Sequence, residues 1–179
     1  MRVGEYIYTP DSPELIVDSE YFSLQSREST ADPATFTVEG DFVLNNESTN
    51  LCFGTRNDGA DCLMWQIKAS NGSVLLRPHT RISKRWTKLA DIDVTEAIGY
   101  TATTLIGKKV NIKIEVIDGK IINTYFDGKL ASTYAVPDTA VKGDNGEFTL
   151  GKLMFRHKTS SKYSNEELAV WDNIVVKDN

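Results

Sequence analysis

Two Asp-Gly pairs, Asp118-Gly119 and Asp127-Gly128, interrupt a stretch of alternating residues that runs from Val110 to Val136. Val110, Ile112, Ile114 and Val116 alternate with Asn111, Lys113 and Glu115. A period of two places one set of side chains against a core and the other in water. Asp-Gly between such runs favours a tight hairpin, because the favoured two-residue turn needs positive φ at both central positions. The stretch therefore predicts an antiparallel meander, and with it an all-β chain.

The rest of the sequence extends that pattern. Phe36, Val38, Phe42 and Leu44 mark a strand over Ala34 to Leu44, followed by a turn at Asn45-Asn46-Glu47-Ser48. Leu51 to Thr55 and Cys62 to Ala69 read as a hairpin, and Asn71-Gly72 turns the chain into Val74 to Thr80. Trp86 to Ile92 reads as one further strand, and Val94 to Gly107 as a long connection. Phe148 to His157 and Ala169 to Val176 close the domain, with short strands expected near Leu15-Val17 and Tyr21-Leu24. Ten to twelve short strands joined by Gly, Asn and Asp turns predict a two-sheet antiparallel jelly-roll sandwich. Residues 1–14 read as an irregular lead-in to a single domain over residues 1–179.

The 179 residues suffice for one sandwich core without disulfide staples. The 25 acidic residues outnumber the 20 basic ones, which argues against a general nucleic-acid binder. No apolar run approaches the ~18 residues of a membrane span, and Met1 to Tyr6 carry no apolar signal region. Either the protein is cytoplasmic, or the chain is a mature or excised piece of a larger protein. An extracellular setting is favoured if that protein is secreted, and a cytoplasmic one if the chain is native. Cys52 and Cys62 flank a turn-like Asn57-Asp58-Gly59. A hairpin centred there sets the two sulfurs across the ladder and permits a disulfide; two small buried thiols are the other reading. No cysteine spacing of a zinc site is present.

Recognition chemistry concentrates upstream of the meander. Alternation puts Leu63, Trp65 and Ile67 on one face and Met64, Gln66 and Lys68 on the other, while Leu75, Arg77 and His79 share a face of the next strand. Pro78 lacks an amide donor, so its strand is expected at an edge or at a bulge. An amide, a guanidinium and an imidazole on one sheet face offer fixed donors to ring hydroxyls. Trp65 is expected in the core. Arg77, Arg81, Lys84, Arg85 and Lys88 surround Trp86, and Lys152, Arg156, Lys158 and Lys162 form a second basic group. Such interleaving suits single-stranded nucleic acid, acidic sugars such as uronates, or a solvated face whose long stems cover apolar surface. Arg156 stands out because it follows Phe155 in a strand expected to be central.

Strict alternation turns Asp172 inward with Val170, Ile174 and Val176. An inward carboxylate needs a donor or a cation, and calcium held by Asp172, Glu39 and Asp41 would answer; capping of backbone amides is the alternative. A glycosidase needs two facing carboxylates. The candidate pairs, Glu39 with Asp41 and Asp91 with Asp93, stand beside no aromatic-rich cleft pattern, so no catalytic residue is assigned.

The order Phe36-Thr37-Val38-Glu39-Gly40-Asp41-Phe42, Leu51-Cys52-Phe53-Gly54, Met64-Trp65-Gln66-Ile67, Leu76-Arg77-Pro78-His79, Asp127-Gly128-Lys129-Leu130, Phe155-Arg156 and Trp171-Asp172-Asn173-Ile174-Val175-Val176 resembles one known group. Over residues 15–178 the chain is similar to the concanavalin A-like, laminin-G-like jelly-roll domains of bacterial glycoside hydrolases, in particular α-L-rhamnosidases. That resemblance implies a non-catalytic accessory domain, excised from or N-terminal in a larger glycosidase, with a catalytic glycosidase domain in cis. It implies a plant glycan or L-rhamnose-like ligand, in some members bound with calcium. The residues expected to hold sugar are Gln66, Arg77, His79, Arg156 and, by stacking, Trp86; neither nucleic acid nor membrane is an expected partner. A purely structural domain docked on a catalytic one, and a stand-alone jelly-roll hydrolase or lyase, are the competing readings.

Overall fold

The computed structural model describes residues 14–16, 22–24, 35–47, 50–56, 62–83, 85–137, 152–158 and 170–178. Its strands are β1 (Glu14–Ile16), β2 (Phe22–Leu24), β3 (Phe36–Val43), β4 (Asn50–Arg56), β5 (Cys62–Ser70), β6 (Ser73–Ile82) and β7 (Arg85–Lys88), then β8 (Ile92–Asp93), β9 (Lys109–Ile117), β10 (Ile121–Phe126), β11 (Lys129–Ala135), β12 (Lys152–Lys158) and β13 (Val170–Asp178). They form two antiparallel sheets. One runs β1-β13-β3-β9-β10-β11, and the other β2-β12-β4-β5-β6-β7 with β8 also on β6. The first and last strands of the chain thus sit among early and middle ones, as a jelly-roll sandwich requires.

The meander is as the sequence predicts. Asp118 and Gly119, Asp127 and Gly128, and Asn71 and Gly72 all carry positive φ, the pairwise requirement of the tight hairpin turn. Alternation in β3 and β9 sends Phe36, Val38 and Phe42, and Val110, Ile112, Ile114 and Val116, into the core. From the opposite sheet come Leu63, Trp65, Ile67, Val74 and Leu76. Each such side chain contributes ~1.5–3 kcal/mol by burial. The Trp65 ring meets Tyr134 edge-on at 5.0 Å, a contact between the two sheets, and Phe42 packs against Phe126 and Trp171 within its own sheet.

Five sequence expectations change. Trp86 to Ile92 is two strands, not one, because the chain leaves the ladder between β7 and β8. Leu89 N still donates to Pro78 O at 2.9 Å. The polar backbone edge of Pro78 therefore faces that break, where no ladder donor is required. Pro78 sits neither at a sheet edge nor in a bulge; β7 is the edge.

The connection over Val94 to Gly107 holds two helices, α1 (Thr95–Ile98) and α2 (Ala102–Leu105). Asp93 Oδ1 accepts from Thr95 N at 3.0 Å, and Thr101 with Thr104 forms a reciprocal cap on α2. Ile98, Ala102 and Leu105 are buried. Four residues are too few to show a helical period.

Cys62 pairs with Arg56 and Cys52 with Gln66. The two cysteines are therefore four ladder positions apart, about 13 Å along the strand, and not opposite one another. A disulfide between them is incompatible with this register.

Lastly, Asp172 does not face inward. Asp172 pairs with Asp41 and Val175 with Glu39, so Asn173 and Ile174 together oppose Gly40. This is a β-bulge with Asn173 at φ 52°. It resets the alternation: Trp171 and Ile174 pack on the core, while Asp172 and the exposed Val175 look outward. Residues 1–13, 57–61 and 159–169, with the expectations that fall on them, lie outside the described residues.

Candidate functional site

The β2-β12-β4-β5-β6-β7 sheet carries the candidate site on its outer face. Core residues Trp65 and Ile67 fix the parity of β5, so Met64, Gln66 and Lys68 lie at outward positions. Arg156, Cys52, Gln66 and Arg77 form one cross-strand row through β12, β4, β5 and β6. The next row is Met154, Gly54, Met64, His79 and Lys88, and the one beyond is Lys152, Arg56, Cys62, Arg81 and Trp86. Three strand spacings separate Arg156 from Arg77, about 14 Å between backbones, and rows repeat every ~7 Å. The structure thus brings Gln66, Arg77, His79 and Trp86 to three adjacent rows of one face, and the backbone of Arg156 is in register with the row of Gln66 and Arg77.

Exposure falls from the edge inward. Trp86 is 40% exposed, Gln66 8% and Met64 2%, so Trp86 stands at a rim and Gln66 on a floor. Gln66 Oε1 is buried and has no hydrogen-bond partner among the described residues. A buried acceptor left so costs ~1–3 kcal/mol, which a donor from a ligand or water would recover. The His79 ring meets Trp86 edge-on at 6.4 Å, and the Arg81 guanidinium lies 5.7 Å from the Trp86 ring centre.

Asp91 organises the β6 side. Its Oδ1 accepts from Arg77 Nε at 3.1 Å and its Oδ2 from Lys88 Nζ at 3.0 Å. Partial burial opposes ionisation of Asp91, but donation from Lys88 and Arg77 outweighs it and holds the carboxyl below its ordinary range. Asp91 is therefore ionised at neutral pH and unsuited to serve as a general acid. The sequence offers Asp91 only as a candidate catalytic partner of Asp93; the structure turns it instead to Arg77 and Lys88. His79 Nδ1 lies 2.8 Å from Arg77 O. That contact requires Nδ1–H, which leaves Nε2 of the neutral ring as an acceptor. Burial is the main cause that lowers the His79 pKa, with the charges of Arg77 and Lys88 adding to it.

The residues proposed for calcium lie on the outer face of the other sheet. Asp41 and Asp172 meet there, but Lys109 Nζ stands 2.9 Å from Asp172 Oδ2 and 3.4 Å from Asp41 Oδ2. Asn173 Nδ2 donates to Asp41 Oδ2 at 3.0 Å and Asn111 Nδ2 to Oδ1 at 3.4 Å. Donation from Asn173, with Asn111 and Lys109, keeps the Asp41 pKa low against partial burial. Glu39 is one outward position further on, paired with Lys113. No group of three His, Cys, Asp or Glu gathers among the described residues. The carboxylates are turned to a lysine and two amides, a donor set that does not fit a divalent cation.

No family model and no curated protein sequence matches the chain. Solved structures do match in fold. Sheep galectin-11 in complex with glycerol is 13% identical with a TM-score of 0.53, over 88% of this chain and 96% of that one. The carbohydrate-binding module CBM66 from Bacillus subtilis is 14% identical with a TM-score of 0.51, over 83% of this chain and 78% of that one. A Bacillus licheniformis β-glucanase is 15% identical with a TM-score of 0.50, over 80% and 65%. At such identities the likeness concerns architecture, and the chain is an all-β, two-sheet antiparallel jelly-roll sandwich.

Proposed function

We propose that the chain is a non-catalytic carbohydrate-binding module, and that a glycan lies on the outer face of the β2-β12-β4-β5-β6-β7 sheet. The observation that carries this reading is the convergence of Gln66, Arg77, His79 and Trp86 on three neighbouring rows, with the backbone of Arg156 in register with the first. Gln66 supplies an amide whose acceptor is unfilled, His79 an acceptor nitrogen, Arg77 a guanidinium, and Trp86 an exposed ring for stacking on a sugar face. The name of one similar structure, a carbohydrate-binding module, supports the same reading. Within it, the module serves a plant-polysaccharide-degrading, rhamnosidase-like glycosidase, with the catalytic domain in cis.

Calorimetric titration with L-rhamnose and plant oligosaccharides tests the reading. Binding of a member of the panel is expected without added calcium. Arg77→Ala and Gln66→Ala should weaken it about tenfold or more, the loss of one charge-assisted or buried hydrogen bond, with the fold intact by circular dichroism. No binding of any sugar, or binding untouched by both variants, would remove the proposal.

A further inference from the structure

Two residues of β6 face three of the opposing chain where β7 gives way to β8. His79 pairs with Lys88 and Leu76 with Ile92, so Arg77 and Pro78 stand against Leu89, Ala90 and Asp91. One extra residue in a ladder bends the strand and re-aims a side chain. Here the Asp91 carboxylate reaches both Arg77 Nε, at 3.1 Å, and Lys88 Nζ, at 3.0 Å. All three side chains are partly exposed, and ion pairs in such settings contribute little to stability.

The consequence of this pair is directional. Gln66 stands directly across the ladder from Arg77, on the side of β6 away from Asp91, and its Oε1 is buried without a hydrogen-bond partner among the described residues. Side chains opposed in this way begin ~4.5–5.5 Å apart. A buried acceptor beside a guanidinium is ordinarily filled by it. Arg77 donates instead through Nε to Asp91, and makes no other side-chain hydrogen bond among the described residues. Its backbone is fixed as well, because His79 Nδ1 meets Arg77 O at 2.8 Å.

We propose that Asp91 is a positioning residue of the sugar site: it holds the Arg77 guanidinium off Gln66, and so keeps the Gln66 acceptor and the Arg77 Nη donors open to the ligand. The inference rests on the carbohydrate-binding reading above and adds to it a residue that acts through Arg77 without touching the sugar. Without Asp91 the guanidinium turns to Gln66 Oε1, and donor and acceptor satisfy one another. A sugar then has to break that bond before it can make its own. The carboxylate therefore favours recognition at the expense of an acceptor left unfilled in the ligand-free protein.

Calorimetry on the whole chain tests this, with L-rhamnose and the plant oligosaccharides as probes and each variant titrated with the sugar that wild type binds most tightly. Asp91→Ala is expected to weaken binding roughly three- to tenfold, the range for re-ordering one rotamer-rich side chain. Asp91→Asn, whose Oδ1 still accepts from Arg77 Nε, should restore most of the affinity. In an Arg77→Ala background, Asp91→Ala should cost nothing further. The melting temperature of ligand-free Asp91→Ala should not fall, since an Arg77–Gln66 bond replaces the lost ion pair, and the Arg77 Nε–H resonance should move. A lower melting temperature, or a loss of affinity that persists in the Arg77→Ala background, makes Asp91 a structural residue and overturns the inference. Wild-type affinity in Asp91→Ala overturns it too and leaves the carbohydrate reading standing. No sugar binding by the wild type overturns both.

Discussion

His79 shows how far one residue carries information between stability and recognition. Its Nδ1 contact with Arg77 O fixes the ring, and burial keeps it neutral more strongly than the backbone bond opposes this. Its folded pKa is below the ordinary value of 6.5, so the unfolded chain binds that proton more readily. The stabilisation is therefore complete above 6.5 and lost as pH falls through the lowered folded value. Urea midpoints across this window should fall on acidification in the wild type and fall less in His79→Gln. Equal slopes would mean that His79 titrates folded as it does unfolded. The position of His79 beside Arg77 was legible in the sequence, because alternation in β5 and β6 is unbroken and parity survives from Leu63 to Arg81. The row that joins Gln66 and Arg77 to Arg156 was not legible. It depends on pairing between β4 and β12, about a hundred residues apart, and nothing local specifies that register.

At the scale of elements, the same alternation failed in β13 for one identifiable reason. A single extra residue inverts parity downstream of it, and Asn173 is that residue. Its φ of 52° is a conformation that Asn adopts far more readily than a β-branched side chain. Gly40 is the complement on β3. A Cβ there would stand 3.1 Å from Asp172 O and 3.3 Å from Ile174 Cγ1, so the bulge closes over a glycine. Asn173→Val is expected to destabilise the fold by about 1–2 kcal/mol more than Asn173→Gly, since both lose the amide contact to Asp41 but only valine strains the backbone. Gly40→Ala should cost about 1–3 kcal/mol through crowding. Denaturant midpoints measure both, and a valine variant no weaker than the glycine one would show that the bulge relaxes. Asn-Gly and Asp-Gly announced the hairpin turns in the sequence; Asp172-Asn173-Ile174 gave no comparable sign of a bulge. The short helices were hidden differently, by having a single turn each.

For the whole molecule, the sandwich separates two outer surfaces by its own thickness. Sheets pack about 10 Å apart, with the core of Trp65, Ile67, Phe42 and Ile112 between them. A substitution on one outer face should therefore add to, and not couple with, ligand binding on the other. Lys109 offers the case: Lys109→Met leaves Asp41 and Asp172 register-paired without their shared cation, and the melting temperature should fall. Donation to Asp172 and Asp41 holds Lys109 protonated, and the Asp41 carboxyl is held ionised, so the loss should shrink as acid neutralises Asp41. A glycan on the opposite sheet binds only the folded chain. At about a hundred times its dissociation constant it adds ~2.7 kcal/mol of stability, roughly 5–10 °C for a domain of this size. That increment should be the same in wild type and Lys109→Met, while Arg77→Ala should reduce it at the same ligand concentration. Thermal melts of the three proteins with and without oligosaccharide read both effects at once. If Lys109→Met abolishes the increment while Arg77→Ala preserves it, the sugar lies on the wrong sheet in the present assignment and the outer face of β3, β9 and β13 becomes the site.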